Sequence, residues 1–268
     1  MSESGDRLAD IVRSLGRHSV AVSGGVDSMT LAALAHRVTP GAVTMVHAVS
    51  PAVPAEATER VNDWAAREGW RLVVLNACEF DDPDYRRNPV NRCFYCKRNL
   101  YGAIAARIGG AIVSGTNRDD LGEYRPGLEA AAVFGVRHPY VEAGLGKSEV
   151  RALARSLGLG EVAELPASPC LSSRVETAIP IEADTLRAIH EVETLIASAL
   201  KPRTVRCRVR SSGFVIELDP DALERARRLE HELRLLASGA LGSSNSAASL
   251  TFAPYRTGSA FIGAPAPA

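Results

Sequence analysis

The segment Ser23-Gly24-Gly25-Val26-Asp27-Ser28 constrains this chain more than any other. It follows a short apolar run, Ser19 to Val22, and leads into a stretch rich in Leu and Ala, Met29 to Ala35. That order predicts a strand, a tight loop and a helix. Such a loop places backbone N–H groups and two hydroxyls at the positive end of a helix dipole, which suits a polyphosphate. Gly24 and Gly25 keep side chains out of the way of the anion. The loop has neither the lysine nor the spacing of the Gly-x-x-x-x-Gly-Lys-Ser/Thr motif, so a different use of the nucleotide is expected. Five specified residues, each at roughly 6% usage, coincide by chance in about one such chain in several thousand.

The rest of the chain extends the pattern. Leu8, Ile11, Val12 and Leu15 share one helical face, and Gly16 closes that helix. Further strands are expected over Ala42 to Val49, Arg71 to Leu75, Ala111 to Gly115 and Val136 to Tyr140. Helical stretches separate them, around Glu56 to Glu68, Arg92 to Ile108 and Lys147 to Leu157. This alternation predicts an α/β fold, an open and mostly parallel sheet with helices on both faces. From Pro180 the character changes: a helix (Glu182 to Leu200), a hairpin (Thr204 to Arg210, then Phe214 to Leu218) and a last helix (Asp221 to Leu236) predict a small C-terminal α+β domain. The expected division is 1–179, 180–237 and a flexible tail over 238–268, where Ser, Ala, Gly and Pro dominate.

Lys+Arg and Asp+Glu both number 31 in the 268 residues, and this balance argues against bulk nucleic-acid binding, which needs a local cationic excess. No apolar run reaches the roughly 18 residues of a membrane span. The opening Met1-Ser2-Glu3-Ser4 lacks the basic-then-apolar order of an export signal, so a cytoplasmic protein without membrane partners is expected. Five cysteines, an odd count, read poorly as a disulfide framework and point instead to thiol, metal or cluster chemistry.

The loop resembles that of the PP-loop ATP pyrophosphatases. The resemblance implies that Ser23, Gly24, Gly25, Asp27 and Ser28 hold the pyrophosphate end of ATP with Mg2+, and that main-chain groups from His47 to Ser50 take the adenine. Three further segments are similar to the LarE-type sulfur transferases, which make the thiocarboxylates of the nickel-pincer nucleotide cofactor: Gly115 to Gly127, Gly146 to Arg151, and Pro166 to Arg174. The likeness covers roughly Leu8 to Leu218. It implies roles for Gly115, Asn117, Asp119, Asp120 and Arg125 around the adenylated substrate, and for Ser173 and Arg174 beside a reactive Cys170. As two carboxylates beside a strand end, Asp119 and Asp120 suit Mg2+ binding or positioning of the adenylated substrate, and they also fit helix capping or a solvent-facing position. Arg206, Arg208 and Arg210 share one face of the hairpin, by default an exposed charged face; the resemblance makes Arg206 and Glu217 the lining of an anion pocket. The chain departs from the family pattern after Arg174, where Val175 to Ile179 replace an aromatic-glycine step.

Cys93 and Cys96 form a Cys-x-x-Cys pair flanked by Arg92 and Lys97. Such a pair alone suits zinc, a redox couple or iron equally. No second pair follows at zinc-finger spacing, which leaves Cys170 as third partner. Three cysteines hold three irons of a [4Fe-4S] cluster and leave one iron open, as in the cluster-bearing branch of the LarE proteins. In the other branch the cysteine matching Cys170 gives up its own sulfur. Cys78 and Cys207 read as core residues. The expected enzyme uses ATP, Mg2+ and a [4Fe-4S] cluster on a pyridinium mononucleotide, and the sequence leaves homo-oligomer formation open. Its competitors are the sacrificial-cysteine version, a tRNA thiolase and a non-catalytic adenine nucleotide sensor.

Overall fold

The computed structural model describes residues 3–241 and 249–263, and the chain divides into two compact units. The first holds residues 3–82 and 91–168; the second holds 83–90 and the described residues from Pro169 onward. The boundary thus falls before the 179/180 junction expected from sequence.

The first unit carries four strands, β1 (His18–Ala21), β2 (Val43–Ala48), β3 (Leu72–Leu75) and β4 (Ala111–Ser114), all parallel in the order β3-β2-β1-β4. Its helices are α1 (Glu3–Ser14), α2 (Val26–Val38), α3 (Ala55–Glu68), α4 (Arg92–Arg107), α5 (Gly127–Val133), α6 (Pro139–Ala143) and α7 (Lys147–Ser156). Alternate strand residues point to opposite faces. Val20, Val22, Met45 and Val113 therefore join one core with α1, α2, α3, α6 and α7, while Val46 and Ile112 join another with Leu100, Tyr101 and Ile104 of α4. Both faces are covered, as a parallel sheet requires.

The chain runs outward from β1 to β2 and β3, then returns to place β4 on the other side of β1. The reversal puts a crevice between the carboxyl ends of β1 and β4, the usual ligand position in open α/β sheets. The fifth strand expected over Val136 to Tyr140 is reduced to one bridge, Arg137 to Val113. Pro139 explains this: it has no N–H for a ladder and instead opens α6.

In the second unit α8 (Ala183–Leu200) precedes the antiparallel pair β5 (Val205–Arg210) and β6 (Gly213–Leu218), followed by α9 (Pro220–Arg228), α10 (Glu230–Leu241) and β7 (Leu250–Pro254). The single helix expected over Asp221 to Leu236 is two, interrupted at Leu229. Part of the segment expected to be a flexible tail is a strand: β7 pairs in parallel with β6, and Leu250 is buried. Leu250 and Phe252 are among the few large apolar residues of a segment dominated by Ser, Ala, Gly and Pro, so the composition of the whole segment concealed the strand. Residues 242–248 and 264–268 lie outside the described residues. No helix among the described residues is long and apolar enough to cross a membrane.

Candidate active site

The Ser23–Ser28 loop lies where the sequence puts it, between β1 and α2. Gly24 has φ +82°, and a Cβ there would sit 2.7 Å from the carbonyl oxygen of Ala57 in α3, so the position admits only glycine. Gly25 is the extended residue preceding α2. Two hydroxyls close the loop on itself. Ser28 Oγ donates to the Gly25 carbonyl at 3.1 Å and accepts from the Ser23 N–H at 3.0 Å, with Ser23 Oγ 3.1 Å away. Ser28 is buried and Ser23 exposed. The result is a cluster of hydroxyls and N–H groups at the positive end of a 13-residue helix.

Gly115, just past β4, closes the other wall of the crevice. A Cβ on it would come within 2.9 Å of Asp27 C and Ser28 N, so the two loops touch through backbone. Asn117 follows, fully buried. Its Oδ1 accepts from the Asp119 N–H at 3.1 Å, and its Nδ2 lies 3.5 Å from Asp27 Oδ1. Asp120, also buried, accepts from the Asn117 N–H at 3.2 Å through Oδ2. Its Oδ1 stands 2.8 Å from Arg125 Nη2 and 3.4 Å from Lys147 Nζ, paired by charge without hydrogen-bond alignment. Burial, then the neighbouring Asp120 carboxylate, push the Asp27 carboxyl above its usual range, while Lys147, Arg151 and Asn117 oppose the shift. A divalent cation would relieve that repulsion. Mg2+ takes one or two protein carboxylates and completes its shell with phosphate oxygens and water, a demand that Asp27 and Asp120 fit. Among the described residues no group of three or more His, Cys, Asp or Glu side chains forms a ready-made metal site.

Several other sequence-selected residues have structural work here. Asp119 is exposed and accepts the Lys147 N–H at 2.8 Å, covering the start of α7, which is the capping role weighed for it. Arg125 also pairs with Glu123 at 2.8 Å. His47 is buried: its Nδ1 lies 2.8 Å from the Val22 carbonyl and its Nε2 2.9 Å from Thr58 Oγ1. A carbonyl only accepts, so Nδ1 carries the proton and Nε2 accepts from Thr58. Burial lowers the His47 pKa. The His47 side chain is thus engaged within the protein, while Ser50 opens the turn after β2, with its oxygens accepting from Ala52 and Val53 N–H. Cys93 and Cys96 lie three residues apart in the first turns of α4, both half-buried.

The second unit carries the other thiol segment. Cys170 is exposed and immediately precedes the helical turn Leu171–Arg174. Its carbonyl accepts from the Ser173 N–H at 3.0 Å. Arg174 is buried, spanned by Glu193 and donating to the Pro169 carbonyl at 2.7 Å and the Cys170 carbonyl at 3.3 Å. Ser172 Oγ meets Tyr85 OH at 2.6 Å. The hairpin arginines do not form an exposed face. Arg208 is buried against Glu217 at 2.9 Å and donates to the Ser173 carbonyl at 2.9 Å; Arg210 takes the other Glu217 oxygen at 3.0 Å. Residues after β7 cover this face, with Ser259 Oγ donating to Glu217 at 2.7 Å. Arg206 is half-buried against the ring of Tyr255. Glu217 and Arg210 also border a cleft of about 460 Å³ with Arg256 and Thr257.

Cys207 is buried as expected, and its thiol pKa is raised by that burial. Cys78 is not in the core: it is exposed at φ +57°, its N–H bound by the Asn76 side chain at 2.8 Å in a turn after the edge strand β3. Sequence reasoning overlooked Lys147, Tyr140, whose hydroxyl donates to the Asp27 carbonyl at 2.9 Å, and Glu193. Lys147 lay inside a segment already singled out. The other two carry no local signal because their partners are distant in sequence.

An open parallel sheet with a serine- and glycine-lined cradle at its switch point sets the class: an α/β fold of the doubly wound kind with the site at the carboxyl end of its first strand. No family model matches the chain. It is 34% identical over 224 residues to an uncharacterized protein of Synechocystis sp., covering 82% of this chain and 83% of that one. It is 25% identical over 213 residues to an uncharacterized protein of Methanocaldococcus jannaschii, covering 75% and 77%. It is 31% identical over 220 residues to the pyridinium-3,5-bisthiocarboxylic acid mononucleotide synthase of Lactiplantibacillus plantarum, covering 80% and 79%. The chain therefore belongs to the LarE-type family of that synthase.

Proposed function

We propose that this chain is an ATP-dependent sulfur transferase that converts carboxylates of a pyridinium mononucleotide, pyridinium-3,5-biscarboxylic acid mononucleotide, into thiocarboxylates for the nickel-pincer cofactor. The likeness to the named synthase supports the substrate class. The observation that carries the reaction type is the cradle of Ser23, Gly25 and Ser28, with the Asp27 and Asp120 carboxylates close by. A carboxylate oxygen is a poor leaving group from its acyl carbon, so that oxygen first attacks the α-phosphorus of ATP. The bond to the β-phosphate breaks, and pyrophosphate leaves into the loop. Hydroxyls and N–H groups there stabilise the charge that develops. Mg2+ held by Asp27 and Asp120 would neutralise phosphate oxygens. In the sacrificial version the Cys170 thiolate then attacks the acyl carbon and AMP departs; loss of the Cys170 Cα proton next breaks its Cβ–Sγ bond, which releases the thiocarboxylate and leaves dehydroalanine. In the cluster version a sulfide attacks the acyl carbon and AMP departs.

Cys170 supplies or holds that sulfur: its thiol is exposed, while the carbonyls of Pro169 and Cys170 are held by Arg174. Cys93 and Cys96 favour the cluster version. Residues three apart share a helix face, and the start of a helix favours thiolates. Among the described residues these two thiols and Cys170 do not form a ready-made three-ligand metal site; a [4Fe-4S] cluster bound by all three would supply sulfide in place of the cysteine's own sulfur.

The test couples anaerobic iron and sulfide analysis to protein mass spectrometry before and after turnover, with pyrophosphate measured alongside. Substrate-dependent pyrophosphate release with thiocarboxylate product supports the reading. An intact chain carrying about four irons marks the cluster; loss of one sulfur at Cys170 marks sacrifice. Absence of both pyrophosphate and thiocarboxylate overturns the proposal.

A further inference from the structure

Three residues in the first two turns of α3 bear on the phosphate loop from behind. The Ala57 carbonyl packs where a Gly24 side chain would stand, 2.7 Å from the position of its Cβ. Arg60 Nη1 donates to the Gly24 carbonyl at 2.9 Å. Thr58 Oγ1 donates to His47 Nε2 at 2.9 Å, and His47 Nδ1 in turn donates to the Val22 carbonyl at 2.8 Å. The two carbonyls so held flank Ser23 on either side.

Peptide planarity turns these contacts into a statement about the loop. In a trans peptide the C=O and the following N–H point in opposite directions. Fixing the Val22 carbonyl on His47 aims the Ser23 N–H the other way, and it meets Ser28 Oγ at 3.0 Å. Fixing the Gly24 carbonyl on Arg60 aims the Gly25 N–H toward Ser23 Oγ, 3.4 Å away. Both N–H groups then lie on the hydroxyl side, and both carbonyl oxygens, which would repel a phosphate, lie on the side of α3. A Gly-Gly step has little intrinsic resistance to rotation of its peptide plane, so this orientation needs an external hold.

We propose that Arg60 and the Thr58–His47 pair are positioning residues that keep the loop's peptide planes in their anion-accepting orientation. The inference rests on the ATP-using reading above and adds to it. The His47 side chain acts on the loop, whatever its main chain contacts.

The test measures ATP affinity by calorimetry and the ATP KM and kcat of pyrophosphate release for wild type, Arg60→Met and Arg60→Lys, with melting temperatures. Loss of a hydrogen bond from a charged donor predicts about a tenfold weaker ATP affinity and higher KM for Arg60→Met. The kcat should change far less, and Arg60→Lys should recover part of the affinity. Thr58→Val, which leaves Arg60 in place, should weaken ATP binding in the same direction. Wild-type ATP affinity and KM in Arg60→Met overturn this inference alone. So does an equal loss in Arg60→Met and Arg60→Lys that follows melting temperature, since that marks general destabilisation. A wild-type chain that binds no ATP overturns the functional reading and this inference with it.

Discussion

Arg174 grips Glu193 with two parallel hydrogen bonds, Nε to Oε1 and Nη2 to Oε2, each 3.0 Å, and the arginine side chain is 3% exposed. Glu193 Oε1 also accepts the Cys207 N–H at 2.9 Å, tying α8 to β5. The arginine beside the exposed thiol is therefore committed to the protein. Its third nitrogen holds the Pro169 and Cys170 carbonyls and so shapes the Cys170 turn.

Removing one partner of such a pair leaves a buried charge uncompensated. Glu193→Ala should cost about 3–5 kcal/mol of stability in urea denaturation. Glu193→Gln, which retains an acceptor oxygen, should cost less. A loss below about 1 kcal/mol for the alanine variant would mean that the pair behaves as a solvated one.

The glycines at the crevice make a second prediction. Gly24→Ala must place a side chain at φ +82° against the Ala57 backbone, and Gly115→Ala must push Asp27 and Ser28 backbone away. Neither neighbour is a flexible side-chain tip. Both variants should lose most ATP-dependent pyrophosphate release. Gly122→Ala, with no atom within 4 Å of the added carbon and no positive φ, serves as the control and should keep it.

Much of this was legible in the sequence because it is local. The strand-loop-helix order around Ser23 to Ser28, the four parallel strands and the helices α3, α4 and α7 follow from apolar periodicity and turn residues over short windows. One cause of the misses is long-range pairing. Arg208 looked solvent-facing because alternation cannot reveal that Glu217 and the segment after β7 cover it. Strand β7 was hidden by the Ser-, Ala- and Gly-rich residues around it, although Leu250 and Phe252 alternate within it and its backbone completes a sheet with β6. At Tyr140 the pattern suggested a strand, yet Pro139 turned it into a helix that delivers the hydroxyl to Asp27.

Acid should weaken the first unit. His47 and His138 both have pKa values lowered chiefly by burial, so the folded chain holds them neutral while the unfolded chain protonates them near pH 6.5. When the unfolded state binds more protons, stability rises with pH. Their contribution is therefore present above about pH 6.5 and is lost as pH falls below it through the folded-state values. Denaturation midpoints taken from pH 8 to pH 5 should fall, and His47→Gln should flatten the decline while lowering the midpoint at pH 8. An unchanged slope in that variant would assign the acid sensitivity elsewhere.

The thiols separate the two proposed chemistries. Under the cluster version Cys93→Ser, Cys96→Ser and Cys170→Ser should each reduce iron content and thiocarboxylate yield, while pyrophosphate release persists, because activation of the carboxylate needs no sulfur. Under the sacrificial version only Cys170→Ser should abolish transfer, since Cys93 and Cys96 on α4 would then contribute packing alone. Cys78→Ser supplies the control: its thiol is exposed in a turn, and neither version uses it. Measured together on anaerobically purified protein, iron content and product yield distinguish the outcomes. Full transfer by Cys170→Ser would remove that residue from both schemes and leave the carboxylate-activating half of the proposal standing by itself.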